Sequence, residues 1–291
     1  MRDLLANPVL HRELFGRIRG RNAWLILTGY LTVIGAITLL IYAVFASSTR
    51  FNDPEASRSL GKAIFFTVMT AALIQVCFLS PSLTAGAIVG EKERQTYDLL
   101  LASLLSPGQI VIGKLISAIA FALLLIASSL PIAGLALIFG GVTGQEVLIG
   151  TVGLLATAIS YATIGLFWST VMRSTLAATV LAQGTVIAIL LLVPFLFFVI
   201  SLLIGAFNDL LSPWYIYTMG AFLCLHPFIA LSMTAGALET GNGPWLWEIP
   251  SSVGNLWVPS PWLVYTAFAI VITVVCLWMA IYEVRSDETV G

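Results

Sequence analysis

Gly90-Glu91-Lys92-Glu93-Arg94-Gln95-Thr96-Tyr97-Asp98-Leu99-Leu100 is a dense patch of both charge signs, wedged between two long apolar stretches, 64–89 and 110–139. Elsewhere charge is scarce. Only 9% of the 291 residues are Asp, Glu, Lys or Arg, 59% are hydrophobic, and the mean hydropathy is +1.01. Soluble domains average roughly 45–50% apolar and about 25% charged residues. A chain this poor in charge places Glu91, Lys92, Glu93, Arg94 and Asp98 within one short run. That run reads as a surface that another protein touches, with bilayer-spanning segments on either side.

Working outward, a span needs about 20 mostly apolar residues, because the hydrocarbon core is about 30 Å thick and a helix rises about 1.5 Å per residue. Six stretches qualify: 23–46, 64–89, 110–139, 147–172, 176–207 and 262–282. Several exceed the minimum, which allows tilt. Pro81, Pro131 and Pro194 lie inside spans, where each removes a backbone donor and is expected to kink its helix. No stretch is long and polar enough for a separate soluble domain. The expectation is one transmembrane domain over 1–291, all-α, with six transmembrane helices.

Residues 1–22 are read as an interfacial amphipathic helix. Asn7-Pro8 supplies an N-cap and a proline at the first helical position. Leu10, Leu14 and Ile18 then form an apolar stripe, and Arg12, Glu13, Arg17, Arg19 and Arg21 a polar side suited to the headgroup plane. No cleavable signal is expected, because the first apolar stretch begins only at Ala23 and is too long for a signal core.

Lys and Arg set the orientation. Arg2, Arg12, Arg17, Arg19 and Arg21, then Lys92, Arg94 and Lys114, then Arg173 and Arg285 fall on one side. Arg50, Arg58 and Lys62 fall on the other, and 174–284 holds no Lys or Arg. Both termini are therefore expected in the cytoplasm, in a multi-pass protein of the cell (inner) membrane, with 208–261 outside. Residues 214–238 are apolar enough for a seventh span. However, Ser212-Pro213 and His226-Pro227 interrupt them, and the residue before a proline disfavours helix. The favoured reading is a re-entrant or interfacial helical pair on the outer face, where Trp214, Trp245, Trp247, Trp257 and Trp262 cluster as interfacial tryptophans do.

The chemistry is mostly absence. The span centres carry no Asp, Glu, Lys or Arg, which disfavours a proton relay or ion path. Gln75 and Gln183 read as interhelical hydrogen-bond formers. Cys77, Cys224 and Cys276 are far apart and read as small buried hydrophobes, not as metal ligands. A net charge of −1 gives no pull toward nucleic acid. Gly108-Gln109-Ile110-Val111-Ile112-Gly113-Lys114-Leu115 fits most of a phosphate-binding loop but ends in Leu where a hydroxyl would hold magnesium. It also enters a membrane helix, so Lys114 is expected to snorkel to headgroups instead. The chain has no engine of its own and is either passive or driven from outside. Read as a helix, 91–105 carries charge toward its start and Leu100, Leu101, Leu104 and Leu105 toward its end.

The charged run, followed by Ser106-Pro107 and Gly113-Lys114, resembles the first cytoplasmic loop of ABC-2 type ABC transporter permeases. Asn7-Pro8-Val9-Leu10, then Arg12-Glu13-Leu14, is similar to that family's opening interfacial helix. The resemblance implies the transmembrane subunit of an exporter, paired with a second permease copy or a related permease and docked on two copies of a cytoplasmic ATP-binding subunit. ATP and magnesium would then sit in that partner, with no cofactor in this chain. Carried residue by residue, Glu91, Lys92, Glu93, Arg94, Thr96 and Asp98 fall in the coupling loop, 90–106. Substrate is not implied. Two other classes stay open. A channel or scaffold would line a span with residues such as Ser128, Ser129, Thr157, Ser160 and Thr163. A membrane enzyme would need more than His11 and His226, which fall on opposite sides of the expected topology.

Overall fold

A computed structural model describes residues 21–48, 54–101, 106–205 and 210–290. Among them the helices are α1 (Arg21–Ser48), α2 (Pro54–Ala85), α3 (Val89–Glu93), α4 (Tyr97–Leu101), α5 (Pro107–Ile138), α6 (Gly144–Val171), α7 (Thr175–Gly205), α8 (Pro213–Leu223), α9 (Pro227–Glu239) and α10 (Pro261–Val290). An antiparallel hairpin, β1 (Leu246–Ser251) with β2 (Gly254–Pro259), lies between α9 and α10. The helices α1, α2, α5, α6, α7 and α10 are long and apolar enough to cross a membrane. The expected interfacial helix over 1–22 falls almost wholly outside the described residues.

Two compact units divide the chain: Met1–Gln183 with Ile272–Gly291, and Gly184–Val271. In the first, α2, α5 and α6 pack against one another. The reason is legible in α6, whose buried face carries Gly150, Gly153, Thr157, Ala158, Ala162, Gly165 and Ser169. Lipid is as apolar as leucine, so helices associate through close backbone approach at small residues. At Gly165 a Cβ would land on the Pro81 carbonyl and the Thr84 hydroxyl of α2. Thr84 Oγ1 uses that closeness to donate to the Ala162 carbonyl at 2.7 Å. Capping boxes fix two helix starts: Ser106 with Gln109 on α5, and Thr143 with Glu146 on α6.

In the second unit, α8 has 11 residues and α9 has 13. At about 1.5 Å per residue neither reaches the roughly 30 Å of a bilayer core. The break between them comes from His226-Pro227. His226 Nδ1 accepts from Ile229 N at 3.2 Å, capping α9, and Pro227 occupies its first helical position. The other ring nitrogen, Nε2, lies 3.2 Å from the Leu190 carbonyl and therefore carries the proton. Burial pushes the His226 pKa below its ordinary value, which keeps the cap neutral. The expected helical pair is joined by an element not foreseen, the β1–β2 hairpin. Trp247 and Ile249 on β1 and Leu256 and Val258 on β2 turn toward the unit, and their neighbours turn out. Trp262, at the start of α10, ties the unit together. Its backbone N–H donates to Thr234 Oγ1 at 3.0 Å and its indole to the Pro244 carbonyl at 2.7 Å.

Candidate functional site: the charged turn after the second span

The helix α2 ends at Ala85, and the turn through Gly86, Ala87 and Ile88 leads into α3. The first amides of a helix lack intrahelical acceptors. Here a different helix supplies one: Ser169 Oγ of α6 accepts from Ile88 N at 2.9 Å and from Val89 N at 3.1 Å. After a single turn α3 closes in a Schellman arrangement. Thr96 N donates to the Glu91 carbonyl at 3.0 Å and Gln95 N to the Lys92 carbonyl at 3.2 Å. Gln95 takes the left-handed conformation that closure needs, with φ of 58°. The segment 91–105, which could be read equally as one helix or as a solvated loop, shows two short helices, α3 and α4, among its described residues. Of its leucines, 104 and 105 lie outside the described residues.

Three consecutive side chains reach three different helices. Glu91 Oε1 accepts from Lys114 Nζ of α5 at 2.9 Å, while its Oε2 accepts from Thr96 Oγ1 at 2.5 Å. Lys92 Nζ donates to the Thr170 carbonyl near the end of α6 at 2.8 Å and lies 4.9 Å from the centre of the Tyr97 ring. Glu93 caps α7: Thr175 N donates to Oε1 at 2.7 Å and Thr175 Oγ1 to Oε2 at 2.5 Å. A carboxylate at a helix N-terminus satisfies orphan amides and meets the positive end of the helix dipole. Lys114 corrects an expectation. It does not snorkel; it is only 4% exposed and forms a close ion pair. The residues Gly108–Lys114 are already inside α5, so no loop is left to cradle a phosphate.

Beneath the turn the helix ends share one apolar cluster. Ala87, Ile88 and Tyr97 pack with Val111 and Leu115 of α5, Ala162 and Leu166 of α6, and Ala280 and Val284 of α10. On the solvent side, Glu93, Arg94, Gln95, Asp98 and Leu99 are exposed. The expected loop residues Glu91, Lys92, Glu93, Arg94, Thr96 and Asp98 are therefore brought into one turn. Arg12, Glu13, Arg17 and Arg19 fall outside the described residues. The partners missed by sequence reading are Ser169, Thr170 and Thr175, common residue types whose roles depend on where helices end. Lys114 carried a signal, since Gly113-Lys114 was part of the recurring pattern.

The hydroxyls that a channel would need are committed locally. Thr157, Ser160 and Thr163 donate to the carbonyls of Gly153, Thr157 and Ser160 on their own helix, and Ser128 and Ser129 do the same on α5. Gln183 reaches across instead, its amide donating to the Phe78 carbonyl and Ser82 hydroxyl of α2.

The fold and the turn together define a multi-pass helical membrane protein whose densest charge lies where its spans end. The chain belongs to the ABC-2 family transporter proteins, whose family pattern matches residues 7–282. It is a transmembrane subunit of an ABC transporter, not itself the catalytic part, and the family works with an ABC ATP-binding subunit. No individual curated protein matches the chain.

Proposed function

We propose that this subunit forms the transmembrane path of an exporter and receives ATP-driven motion through the turn between α2 and α5. In this reading two permease chains pair, and two cytoplasmic ATP-binding subunits dock on them. ATP and magnesium are held by those partners, and both termini of the permease face the cytoplasm of the cell membrane. The carrying observation is the charged turn itself. It is partly exposed and bonded to Lys114 of α5, to the end of α6 and to the start of α7. A force applied there reaches three helices at once, as a transmission point requires.

The test is coexpression with the ABC ATP-binding subunit of the same genome. The expected result is copurification of the two, with ATP hydrolysis measurable in the complex and at background in the isolated chain. Hydrolysis by the isolated chain, or failure of any ATP-binding subunit to associate, would sink the reading.

A further inference from the structure

We infer that the turn divides its charges between two tasks. Glu91 and Glu93, with Lys92, fasten it to the transmembrane helices, whereas Arg94, Gln95, Asp98 and Leu99 form the face that the ATP-binding subunit touches. This rests on the proposed function, because it names which residues of that same site do what. The fastening side follows from hydrogen-bond capacity. Both oxygens of Glu91 and both oxygens of Glu93 already accept hydrogen bonds inside the chain. Turning Glu91 toward a partner would break its close ion pair with the buried Lys114, a costly change in low dielectric. Turning Glu93 outward would strip the first amide of α7 of its acceptor.

The docking side follows from what is left. Arg94 and Asp98 are exposed and make no hydrogen bond or close ion pair to another described side chain, although the Arg94 charge helps to lower the pKa of Glu91 and Glu93 from a distance. Beside them Leu99 is 73% exposed, a large apolar side chain rimmed by one positive and one negative group. That pattern suits a protein partner offering an apolar recess with a carboxylate opposite Arg94 and a cation opposite Asp98. Gln95 stands between the two tasks, because its left-handed backbone turns the chain from the fastened residues to the exposed ones. Glu91 and Lys114 are thus positioning residues: they carry motion into α5 without touching the partner.

Two measurements test the division. In the isolated detergent-solubilised chain, Glu93→Ala should speed amide hydrogen exchange at Thr175 about tenfold, the equivalent of one lost hydrogen bond. Arg94→Ala and Asp98→Ala should leave that rate unchanged. In the complex with the ATP-binding subunit, Arg94→Glu and Asp98→Lys should cut copurification several-fold. Glu91→Gln and Lys114→Met should keep it. Transmission is read from a single cysteine replacing Leu176, which is 77% exposed, in a background with the native cysteines changed to serine. In the wild-type complex its maleimide labelling rate should change when ATP and vanadate are added. Glu91→Gln and Lys114→Met should abolish that change, and the exchanged pair Glu91→Lys with Lys114→Glu should restore it, which guards against simple misfolding.

Equal loss of copurification in Glu91→Gln and Arg94→Glu would overturn the division, making the carboxylate a contact residue. Full copurification of both Arg94→Glu and Asp98→Lys would overturn the docking face. An unchanged exchange rate in Glu93→Ala would overturn the fastening. If the wild-type chain binds no ATP-binding subunit, the proposed function and the docking face fall together, while the exchange measurement still decides the fastening.

Discussion

Gln95 holds a backbone conformation that costs most residues about 1–2 kcal/mol and glycine almost nothing. Its side chain is exposed, so the cost is not recovered by packing. Replacing it with glycine removes the strain but adds freedom to the unfolded chain, worth roughly 0.5–1 kcal/mol. The expected net is a gain of about 0.5 kcal/mol for Gln95→Gly, whereas Gln95→Val should lose more than about 1 kcal/mol, since β-branched residues rarely enter this region. Thermal unfolding in detergent should rank glycine above glutamine above valine, and the reverse ranking would mean that the turn does not close in this way. At this scale sequence reading succeeded with residue types and failed with pairings. The density of charge at 90–98 was plain. That Glu91 meets Lys114, 23 positions away, was not, because it depends on where α3 stops and α5 starts. Lys114 looked like a snorkelling lysine because its partner lies across that break.

At the scale of elements, the spans were readable because each is a long apolar run, and in lipid only a helix satisfies such a run's backbone. The hairpin was not readable. Trp247, Ile249, Leu256 and Val258 do alternate, but Pro250 and Pro259 lie within the strands and mask the pattern. Packing between elements follows small residues. Gly165→Ala puts a methyl group on the Pro81 carbonyl and Thr84 hydroxyl, forcing α2 and α6 apart. It should cost about 1–3 kcal/mol, whereas Gly184→Ala, with open space around its Cβ position, should be tolerated. Comparable unfolding midpoints for the two would contradict this packing.

The second unit carries a pH dependence. The His226 ring must be neutral at Nδ1 to cap α9, and burial depresses its folded-state pKa below 6.5. The unfolded chain therefore takes up the proton first as pH falls. The cap's contribution is complete above about pH 6.5, declines as pH drops through that value toward the folded pKa, and is gone below it. Asn also caps helices but does not titrate. His226→Asn should accordingly unfold with a flatter pH dependence between about pH 5 and 7, and an unchanged slope would assign that dependence to another group.

At the scale of the whole molecule, the distribution of Lys and Arg predicts which ends share a side. Residues 174–284 lack both, so the segment carrying α8, α9 and the hairpin has nothing to retain it in the cytoplasm. The structure bears on the count of crossings, since α8 and α9 are each too short to span and α10 is the remaining long apolar helix after α7. An even number of crossings puts the two termini on one side, and the charged turn after α2 joins them there. Seven crossings would separate the termini and invert both positions, putting 242 in the cytoplasm and 287 outside. Single cysteines at Asn242 and Asp287, in a chain whose native cysteines are replaced by serine, distinguish the two. In sealed, oriented vesicles an impermeant maleimide should label 242 from the outer side and 287 only after the membrane is opened. The reverse pattern, 287 labelled from the outer side and 242 only after the membrane is opened, would restore the seven-span arrangement. It would also separate the C-terminal end of α10 from the side on which an ATP-binding subunit must dock. That outcome is hard to reconcile with Ala280 and Val284 packing directly beneath the charged turn.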